Sequence, residues 1–179
     1  CMQRMSAIAS KTKDYMKIIE GTKTRILDTR KTTPGIRVIE KWAVRIGGGT
    51  NHRFGLYDMI MLKDNHIDFA GGISQAIAKV KKYLKDNKLG LKIEVEARNM
   101  SEVEEIVSVG GIHRIMLDNF TPKETRSAVQ FINGTYETES SGGITSETLR
   151  TYAECGVDFI SVGALTHSIH NLDLSLKAY

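Results

Sequence analysis

The chain has few cysteines and no long hydrophobic run, and each of these absences excludes a class of protein. Its 179 residues include two cysteines, Cys1 and Cys155, which form no disulfide framework and match no metal-ligand spacing. Cys155 is better explained as a small buried residue of a helix. No apolar run is long enough to span a bilayer, and no secretory signal with a basic start and an apolar centre is present. We therefore expect a cytoplasmic protein.

Aromatic residues are also scarce, at 7% of the chain, and they are not interleaved with the basic residues as in a single-strand nucleic-acid binder. The charge is unevenly distributed: residues 1–63 contain 13 Lys and Arg against 5 Asp and Glu, whereas residues 64–179 contain 12 against 16. Because the basic residues do not form one block, this asymmetry favours a small anionic ligand. Nucleic-acid binding remains a weaker alternative.

The pattern of apolar and polar residues predicts six strand–helix repeats followed by a last strand. The predicted strands cover residues 25–29, 59–62, 91–95, 114–117, 135–138, 158–162 and 172–176. This alternation implies parallel strands joined by right-handed crossovers. Polar clusters follow almost every strand, which is typical of a barrel rather than of a doubly wound sheet with one switch point. Seven strands instead of eight indicate a barrel that is irregular or open.

The stretch at residues 26–37, ILDTRKTTPGIR, is the most informative part of the sequence. Asp28, Arg30 and Lys31 stand where a buried strand ends. Thr33 is predicted to cap a helix that Pro34 opens, because proline suits the first helical position. Two fixed positive charges beside the free N–H groups of a helix N-terminus would attract an anion. The alternative is a solvated, charged loop.

The polar residues that follow the predicted strands, together with the cluster at residues 51–53 that follows the helix after Pro34, can be sorted by charge. The cationic members are Arg30, Lys31, His52, Arg53 and Lys63. Five such groups would repel one another unless a polyanion lay among them, so we expect a multiply charged ligand. Glu94 and Asp118, from adjacent strands, are candidate ligands for Mg²⁺ or for hydroxyl groups. Salt bridges to Lys63 or Arg53 are the alternative explanation of these two acids.

Glycine-rich turns after the last two helix-linked strands predict a phosphate site. The segment at residues 140–143 offers serine hydroxyls and free N–H groups, and Gly163 with Ala164 offers N–H groups after the next strand. This is the usual phosphate position in barrels. His167 lies on the same side, whereas His113 is predicted to lie away from it.

Seven motifs, in this order along the chain, closely resemble the barrel domain of the quinolinate phosphoribosyltransferase family. They are LDTRKTTPGIR, GGGTNHRFGL, MLKDNHI, KIEVE, IMLDNF, ESSGGI and SVGALTHS. The resemblance covers essentially the whole chain and implies an incomplete, seven-stranded α/β (TIM-like) barrel of parallel strands with outer helices. In the family an N-terminal sandwich domain precedes the barrel. We therefore expect residues 1–20 to form the connecting helix and residues 21–179 the barrel.

The resemblance also implies an activity, a cofactor and a role for each matching residue. Family members transfer phosphoribose from phosphoribosyl pyrophosphate to quinolinate with Mg²⁺, giving nicotinate mononucleotide, pyrophosphate and CO2 for NAD biosynthesis. The family's pocket for the quinolinate carboxylates is matched by Arg30, His52, Arg53 and Lys63, and Lys31 matches a cation that reaches pyrophosphate or substrate. The acids that contact the ribose hydroxyls and Mg²⁺ are matched by Glu94 and Asp118. The 5′-phosphate side is matched by Ser141, Gly142, Gly163 and His167. The implied catalytic residues are Lys63, Glu94 and Asp118.

The resemblance further implies a homo-oligomer, at least a dimer, in which a neighbouring subunit's N-terminal domain adds an arginine to the pocket. Two alternatives stay open. One is a paralogue of the same fold associated with molybdenum transport, against which the intact Lys63-Asp64-Asn65-His66 run and the Thr-His-Ser ending argue. The other is a non-catalytic anion-binding barrel fragment. Arg98, Asn99 and Ser140 depart from the usual family pattern.

Overall fold

The computed structural model describes residues 1–178 and has a parallel sheet of six strands, with helices in the connections. The strands are β1 (Arg25–Leu27), β2 (Ile60–Leu62), β3 (Ile93–Ala97), β4 (Arg114–Asp118), β5 (Glu137–Ser141) and β6 (Phe159–Ser161). The helices are α1 (Met2–Ile18), α2 (Arg37–Ile46), α3 (Asp64–Ala70), α4 (Ile73–Asp86), α5 (Met100–Val109), α6 (Pro122–Ile132), α7 (Ser146–Ala153) and α8 (Ala164–His167). In this described part of the chain, no helix combines the length and the apolar character needed to cross a membrane.

The strand order is β1-β6-β5-β4-β3-β2, and all pairs are parallel. The α/β fold with parallel strands and intervening helices is therefore confirmed. The sheet is not closed, because β1 and β2 are its two ends. The outer side of β1 carries a single parallel bridge between Leu27 and Thr50.

The predicted seventh strand at residues 172–176 is wrong: this segment has no strand structure. It lies beside α1 instead, where the Leu172 N–H donates to the Gln3 carbonyl (3.3 Å) and the Gln3 side chain donates to the Leu174 carbonyl (3.0 Å). The alternating leucines imitate a half-buried strand, yet Leu176 is fully exposed. Alternation predicts a strand only where a sheet edge is available to pair with it.

The start of α2 also differs from the prediction. The helix begins at Arg37, its N-cap is Ile36, and no side chain caps it. Gly35 adopts φ +81, which interrupts helical geometry directly after Pro34. The Thr33 N–H and hydroxyl both donate to the Glu40 carboxylate, at 2.9 and 2.8 Å. The predicted helix start at Pro34 with a Thr33 cap is therefore wrong, and the N-terminus of α2 lies six residues beyond Lys31.

The two faces of the sheet have different compositions because side chains alternate along each strand. One face is apolar and packs with the helices in a single hydrophobic core that includes Ile26, Val95, Ile115, Leu117 and Ile160. Helix α1 contributes to the same core through Ile8 and Tyr15. The other face is largely polar, and it carries the candidate site.

Candidate functional site

The polar face of the sheet is built by strand register. Glu94 of β3 pairs with Arg114 of β4, Arg114 pairs with Glu137 of β5, and Glu139 pairs with Met116. These side chains therefore lie on one face. His52 follows the Thr50 bridge beside β1 and still reaches Glu94 and Glu139 on the far strands. The sheet must curve around this face for such contacts to form.

A buried cluster of His52, Glu94 and Glu139 lies at the centre of this face. His52 Nε2 is 3.0 Å from a Glu94 oxygen and 3.3 Å from a Glu139 oxygen, and both glutamate side chains are completely buried. The Arg114 guanidinium is 3.0 Å from Glu139 and stacks 4.0 Å from the ring centre of Phe159. Burial of two carboxylates without compensation would be very costly, so the neighbouring positive groups are required.

The pKa values in this cluster indicate that it holds a proton at neutral pH. Burial would lower the pKa of His52, but hydrogen bonds and charges from Glu139 and Glu94 outweigh it and raise the value to about 9. Burial, followed by the charge of Glu139, raises the pKa of Glu94 to about 7. Burial opposes ionisation of Glu139 as well, yet His52 and Arg114 hold its pKa below the usual value. With one proton shared by His52 and Glu94, these four groups are electrically neutral.

This shared proton gives a pH-dependent stability. The pKa of His52 rises from 6.5 in the unfolded chain to about 9 in the folded chain, and the pKa of Glu94 rises from 4.5 to about 7, so the folded state binds protons more tightly. Stability contributed by raised pKa values is present at low pH and is lost as the pH rises through the folded-state values. We expect the free energy of unfolding to fall between about pH 6.5 and pH 9. Urea titrations across this range measure the slope.

Glu94→Gln removes one member of the cluster and should flatten this slope, because the amide cannot share the proton. Glu104→Gln is the matched control, since Glu104 is exposed on α5. The wild-type slope should persist in the control. A stability that does not change from pH 6.5 to 9, or equal slopes in both variants, would contradict the shared proton.

His52, Glu94 and Glu139 also meet the spacing of a metal site, since one ligand atom from each lies within 4.8 Å of the others. Their chemistry does not fit Mg²⁺. The pKa of His52 is raised to about 9, so its Nε2, which faces Glu94 and Glu139, carries a proton at neutral pH, and a protonated nitrogen cannot bind a cation. The adjacent Arg114 adds a further positive charge. We assign no metal to this cluster.

Two loops next to β1 carry most of the predicted cations, and the structure brings them together. We name residues 28–33 the first cation loop and residues 50–54 the second cation loop. Burial lowers the pKa of Arg53, and the positive charge of Arg30 lowers it further. Arg30 therefore lies near Arg53. Arg30 Nε is buried and has no hydrogen-bond partner among residues 1–178. A buried guanidinium nitrogen without a partner, near a second guanidinium, is the pattern of a site that awaits an anion.

A buried ion pair fixes the second cation loop. Lys41 of α2 is 2% exposed, and its ammonium contacts the fully buried Asp28 carboxylate at 2.5 Å. Lys41 also donates to the His52 carbonyl (3.1 Å), while Asp28 accepts the His52 N–H (2.8 Å) and the Asn51 amide (2.5 Å). Burial raises the pKa of Asp28 and lowers that of Lys41, and each charge opposes the shift of the other. Sequence reasoning missed Lys41, because nothing in a helical Glu-Lys pair indicates burial.

Lys63 and its acidic partner lie at the carboxyl end of the strands. Lys63 directly follows β2, and its ammonium contacts Glu96 of β3 at 2.5 Å. Glu96, not Glu94, is therefore the acid beside Lys63. Alternation places Glu94 and Glu96 on one face of β3, and Glu96, which comes later in the strand, lies nearer its carboxyl end. His66 is structural here, since its Nδ1 accepts the Lys63 N–H (3.0 Å) at the start of α3.

The predicted phosphate residues occupy two places at the same edge. In the first, Asp118 accepts the Asn119 amide (2.7 Å), and the Asn119 N–H donates to the Ser141 carbonyl (2.9 Å) beside Gly142. In the second, Lys31 and His167 flank Gly163: a Cβ at Gly163 would lie 3.0 Å from His167 Nε2 and 3.4 Å from the Lys31 side chain.

The second place is tied to the first cation loop, because the Thr166 hydroxyl donates to the Lys31 carbonyl (2.6 Å). His113 lies away from this edge, where its Nδ1 accepts the N–H of Ile93, the first residue of β3. The ammonium of Lys31, the N–H groups near Gly163 and His167 thus form one cationic corner.

Two neighbouring glycines allow a test of the first place. Gly142 and Gly143 both have positive φ, +94 and +58, so alanine at either should cost about 1 kcal/mol of backbone strain. Only a Cβ at Gly142 would clash, with the side chain and backbone of Asn119; at Gly143 it would meet nothing within 4 Å. We expect Gly142→Ala to weaken ribose 5-phosphate binding at least about tenfold more than Gly143→Ala. Equal affinities in calorimetric titrations would contradict a phosphate site here.

Comparison with known proteins identifies the family of the chain. A family profile described as "Quinolinate phosphoribosyl transferase, C-terminal domain" matches residues 8–177. A chloroplastic nicotinate-nucleotide pyrophosphorylase [carboxylating] of Arabidopsis thaliana is 49% identical over 190 residues, covering 98% of this chain and 54% of the relative. A probable nicotinate-nucleotide pyrophosphorylase of Bacillus subtilis is 43% identical, covering 98% and 59%. The chain thus spans about half the length of the curated relatives it matches.

Solved structures give the same result. The nicotinate-nucleotide pyrophosphorylase of Francisella tularensis has a TM-score of 0.91 at 43% identity, over 97% of this chain and 60% of that one. The Ehrlichia chaffeensis enzyme has a TM-score of 0.90 at 42% identity, over 96% and 61%. Together with the profile match along almost the whole chain, these similarities show that the chain belongs to the quinolinate phosphoribosyltransferase family, of which it represents the C-terminal domain.

Proposed function

We propose that the protein transfers phosphoribose from phosphoribosyl pyrophosphate to quinolinate and releases CO2, giving nicotinate mononucleotide and pyrophosphate. The observation that carries this proposal is the convergence of Arg30 and Arg53 from two separate loops, with the buried Arg30 Nε unpaired in the described structure. Quinolinate has two carboxylates on neighbouring ring atoms. Two guanidinium groups held close together provide the paired donors that such a ligand needs.

The remaining cations fit the rest of the substrate pair. Lys63, whose side chain is 45% exposed beside Glu96, can reach a carboxylate in the pocket. His52 forms the pocket wall next to Arg53 and carries the proton of the buried cluster. Lys31, together with Gly163 and His167, suits the pyrophosphate or 5′-phosphate, and Ser141 with Gly142 suits the other phosphate position.

We transfer the proposed acidic role at the ribose from Glu94 to Glu96. The Glu94 carboxylate is completely buried and contacts His52, whereas the Glu96 carboxylate lies at the open edge and contacts Lys63. Asp118 is half-buried at the end of β4 and keeps its proposed role. Carboxylate oxygens of Glu96 and Asp118 are the donor set that Mg²⁺ prefers, so they would hold the ion. When bound, Mg²⁺ would neutralise charge on the pyrophosphate.

In this proposal the protein supplies position and charge rather than a covalent nucleophile. The ribose carbon gains positive character as pyrophosphate leaves, and the nearby Glu96 and Asp118 carboxylates stabilise that charge. The quinolinate nitrogen forms the new bond to the ribose carbon and becomes cationic. As CO2 leaves, the electron pair of the broken C–CO2 bond stays on the ring carbon, where the adjacent cationic nitrogen stabilises it, and that carbon then takes a proton from water, while Arg30 and Arg53 hold the ring in place.

Several further features belong to the proposal. Residues 1–20 would connect the barrel to an N-terminal sandwich domain, and a neighbouring subunit's N-terminal domain would complete the pocket in a dimer. The curved sheet would be the family's incomplete barrel, with the Thr50 bridge at its seventh position. A cytoplasmic location is the simplest proposal, although a relative in Nicotiana tabacum is named mitochondrial and the Arabidopsis relative chloroplastic.

The test is a coupled assay of nicotinate mononucleotide and CO2 formation from quinolinate and phosphoribosyl pyrophosphate with Mg²⁺. It should be run on this chain alone and with the family's N-terminal domain added. Product in either sample supports the proposal. Absence of product in both, from folded protein that binds quinolinate, would favour the non-catalytic anion-binding alternative. Absence of quinolinate binding would overturn the proposal. The molybdenum-transport alternative, which the names of the relatives do not favour, would then be the next hypothesis to test.

A further inference from the structure

Helix α2 presents an unusually polar inner face to the two cation loops. Glu40 and Lys41 are buried, and Arg37 is half-buried at the first position of the helix. Each of the three makes hydrogen bonds to a cation loop rather than to solvent. A helix packed on a core normally buries apolar side chains, so this face needs another explanation.

The side chain of Arg37 bridges the two cation loops by donating hydrogen bonds to a main-chain carbonyl of each loop. Its Nη2 donates to the carbonyl of Arg30 (3.2 Å), and its Nη1 donates to the carbonyl of Phe54 (3.1 Å). Its Nε donates to the Thr32 hydroxyl (3.0 Å). The guanidinium is planar and its donors have a fixed separation, so the two carbonyls are held at a fixed distance from each other.

Those two carbonyls belong to the segments that carry the substrate cations. One is the carbonyl of Arg30 itself, and the other follows Arg53 by one residue. Burial lowers the pKa of Arg53 and the charge of Arg30 lowers it further, so these two guanidinium groups repel each other. Asp28 already links the two loops by accepting the His52 N–H, and Arg37 adds a second link close to the two arginines. Lys41 and Glu40 reinforce the arrangement by fixing His52 and Thr33, respectively.

We propose that Arg37 is a positioning residue that sets the spacing between Arg30 and Arg53 and thereby selects a ligand with two adjacent carboxylates. This inference rests on the proposed function. It predicts that Arg37 contributes to recognition of the dicarboxylate but little to binding of phosphate groups, because Lys31 is held by the Thr166 hydroxyl and not by Arg37. The other proposed phosphate residues lie outside the two cation loops. Arg37 contacts no substrate in this account, so its effect passes through the two loops.

Arg37→Lys tests the inference, because lysine keeps the charge but cannot donate to both carbonyls at once. Arg45→Lys is the matched control, since Arg45 is an exposed arginine near the end of the same helix. Calorimetric titrations should use quinolinate, nicotinate and inorganic pyrophosphate. In Arg37→Lys we expect about a tenfold loss of quinolinate affinity, the size expected for one or two hydrogen bonds. Affinities for nicotinate and pyrophosphate should change less than about twofold, and Arg45→Lys should match wild type.

Unchanged quinolinate affinity in Arg37→Lys, or an equal loss for all three ligands, would overturn the inference while leaving the proposed function intact. Failure of the wild-type protein to bind quinolinate would instead count against the proposed function. In that case hydrogen exchange decides the inference: amides of both cation loops should exchange faster together in Arg37→Lys than in Arg45→Lys. Faster exchange in only one loop, or in neither, would overturn it.

Discussion

Arg53→Ala is expected to weaken quinolinate binding by at least about 2 kcal/mol, which is roughly a thirtyfold rise in Kd. The side chain is partly buried, its Nη1 donates to the Met59 carbonyl (3.3 Å), and Arg30 lies nearby with an unpaired donor. Removing Arg53 would leave one substrate carboxylate without its charged partner in a partly desolvated pocket. Titration calorimetry with quinolinate measures the change.

Arg45→Ala is the control for this result, because it removes an exposed arginine and the same net charge. Its quinolinate affinity should be close to that of wild type. Thermal unfolding of both variants shows whether a loss of affinity reflects a loss of structure. Wild-type affinity in folded Arg53→Ala would mean that the ligand pocket lies elsewhere.

The second large effect is expected for the buried ion pair of Asp28 and Lys41. Lys41→Met keeps most of the side-chain volume but leaves the Asp28 carboxylate, which is fully buried, without its cation. Breaking a buried pair in this way typically costs about 3–5 kcal/mol, so we expect a loss of this size in the free energy of unfolding at neutral pH. Urea denaturation of the two proteins measures it.

The pH dependence of that loss identifies its cause. Burial already raises the pKa of Asp28, and without Lys41 it should rise further, so the destabilisation is present at high pH and shrinks as the pH falls and Asp28 becomes protonated. Adding Asp28→Asn to Lys41→Met should also recover part of the stability. A loss that is independent of pH and additive with Asp28→Asn would indicate that only packing was changed.

The alternation of strands and helices could be read from the sequence, and with it the expectation that polar residues after parallel strands gather at one edge of a sheet. Arg53 lies in the loop after α2, and its loop and that of Arg30 both contact Arg37, which no local pattern indicates. Chain order alone places Glu96 nearer than Glu94 to the carboxyl end of the strand. The sequence did not reveal the partners of these two acids, since the contact of Glu94 with His52 and that of Glu96 with Lys63 join distant parts of the chain.

Two other features depended on information that a local pattern does not contain. The leucines at residues 172–176 alternate as in a strand, but the segment makes its hydrogen bonds to Gln3 of α1 and not to an edge of the sheet, which the local pattern does not reveal. Lys41 looks like an ordinary surface lysine of an amphipathic helix. Its burial follows from Asp28 at the end of β1, a partner 13 positions away whose contact forms only when α2 packs on the sheet.

The most direct measurement is a crystal structure of the protein with quinolinate bound. The account predicts that the ligand lies at the carboxyl edge of the strands, with its two carboxylates against the guanidinium groups of Arg30 and Arg53 and with Lys63 at the rim. Quinolinate found at the opposite edge, near Lys92 and His113, would contradict it. So would a ligand that contacts only one of the two cation loops.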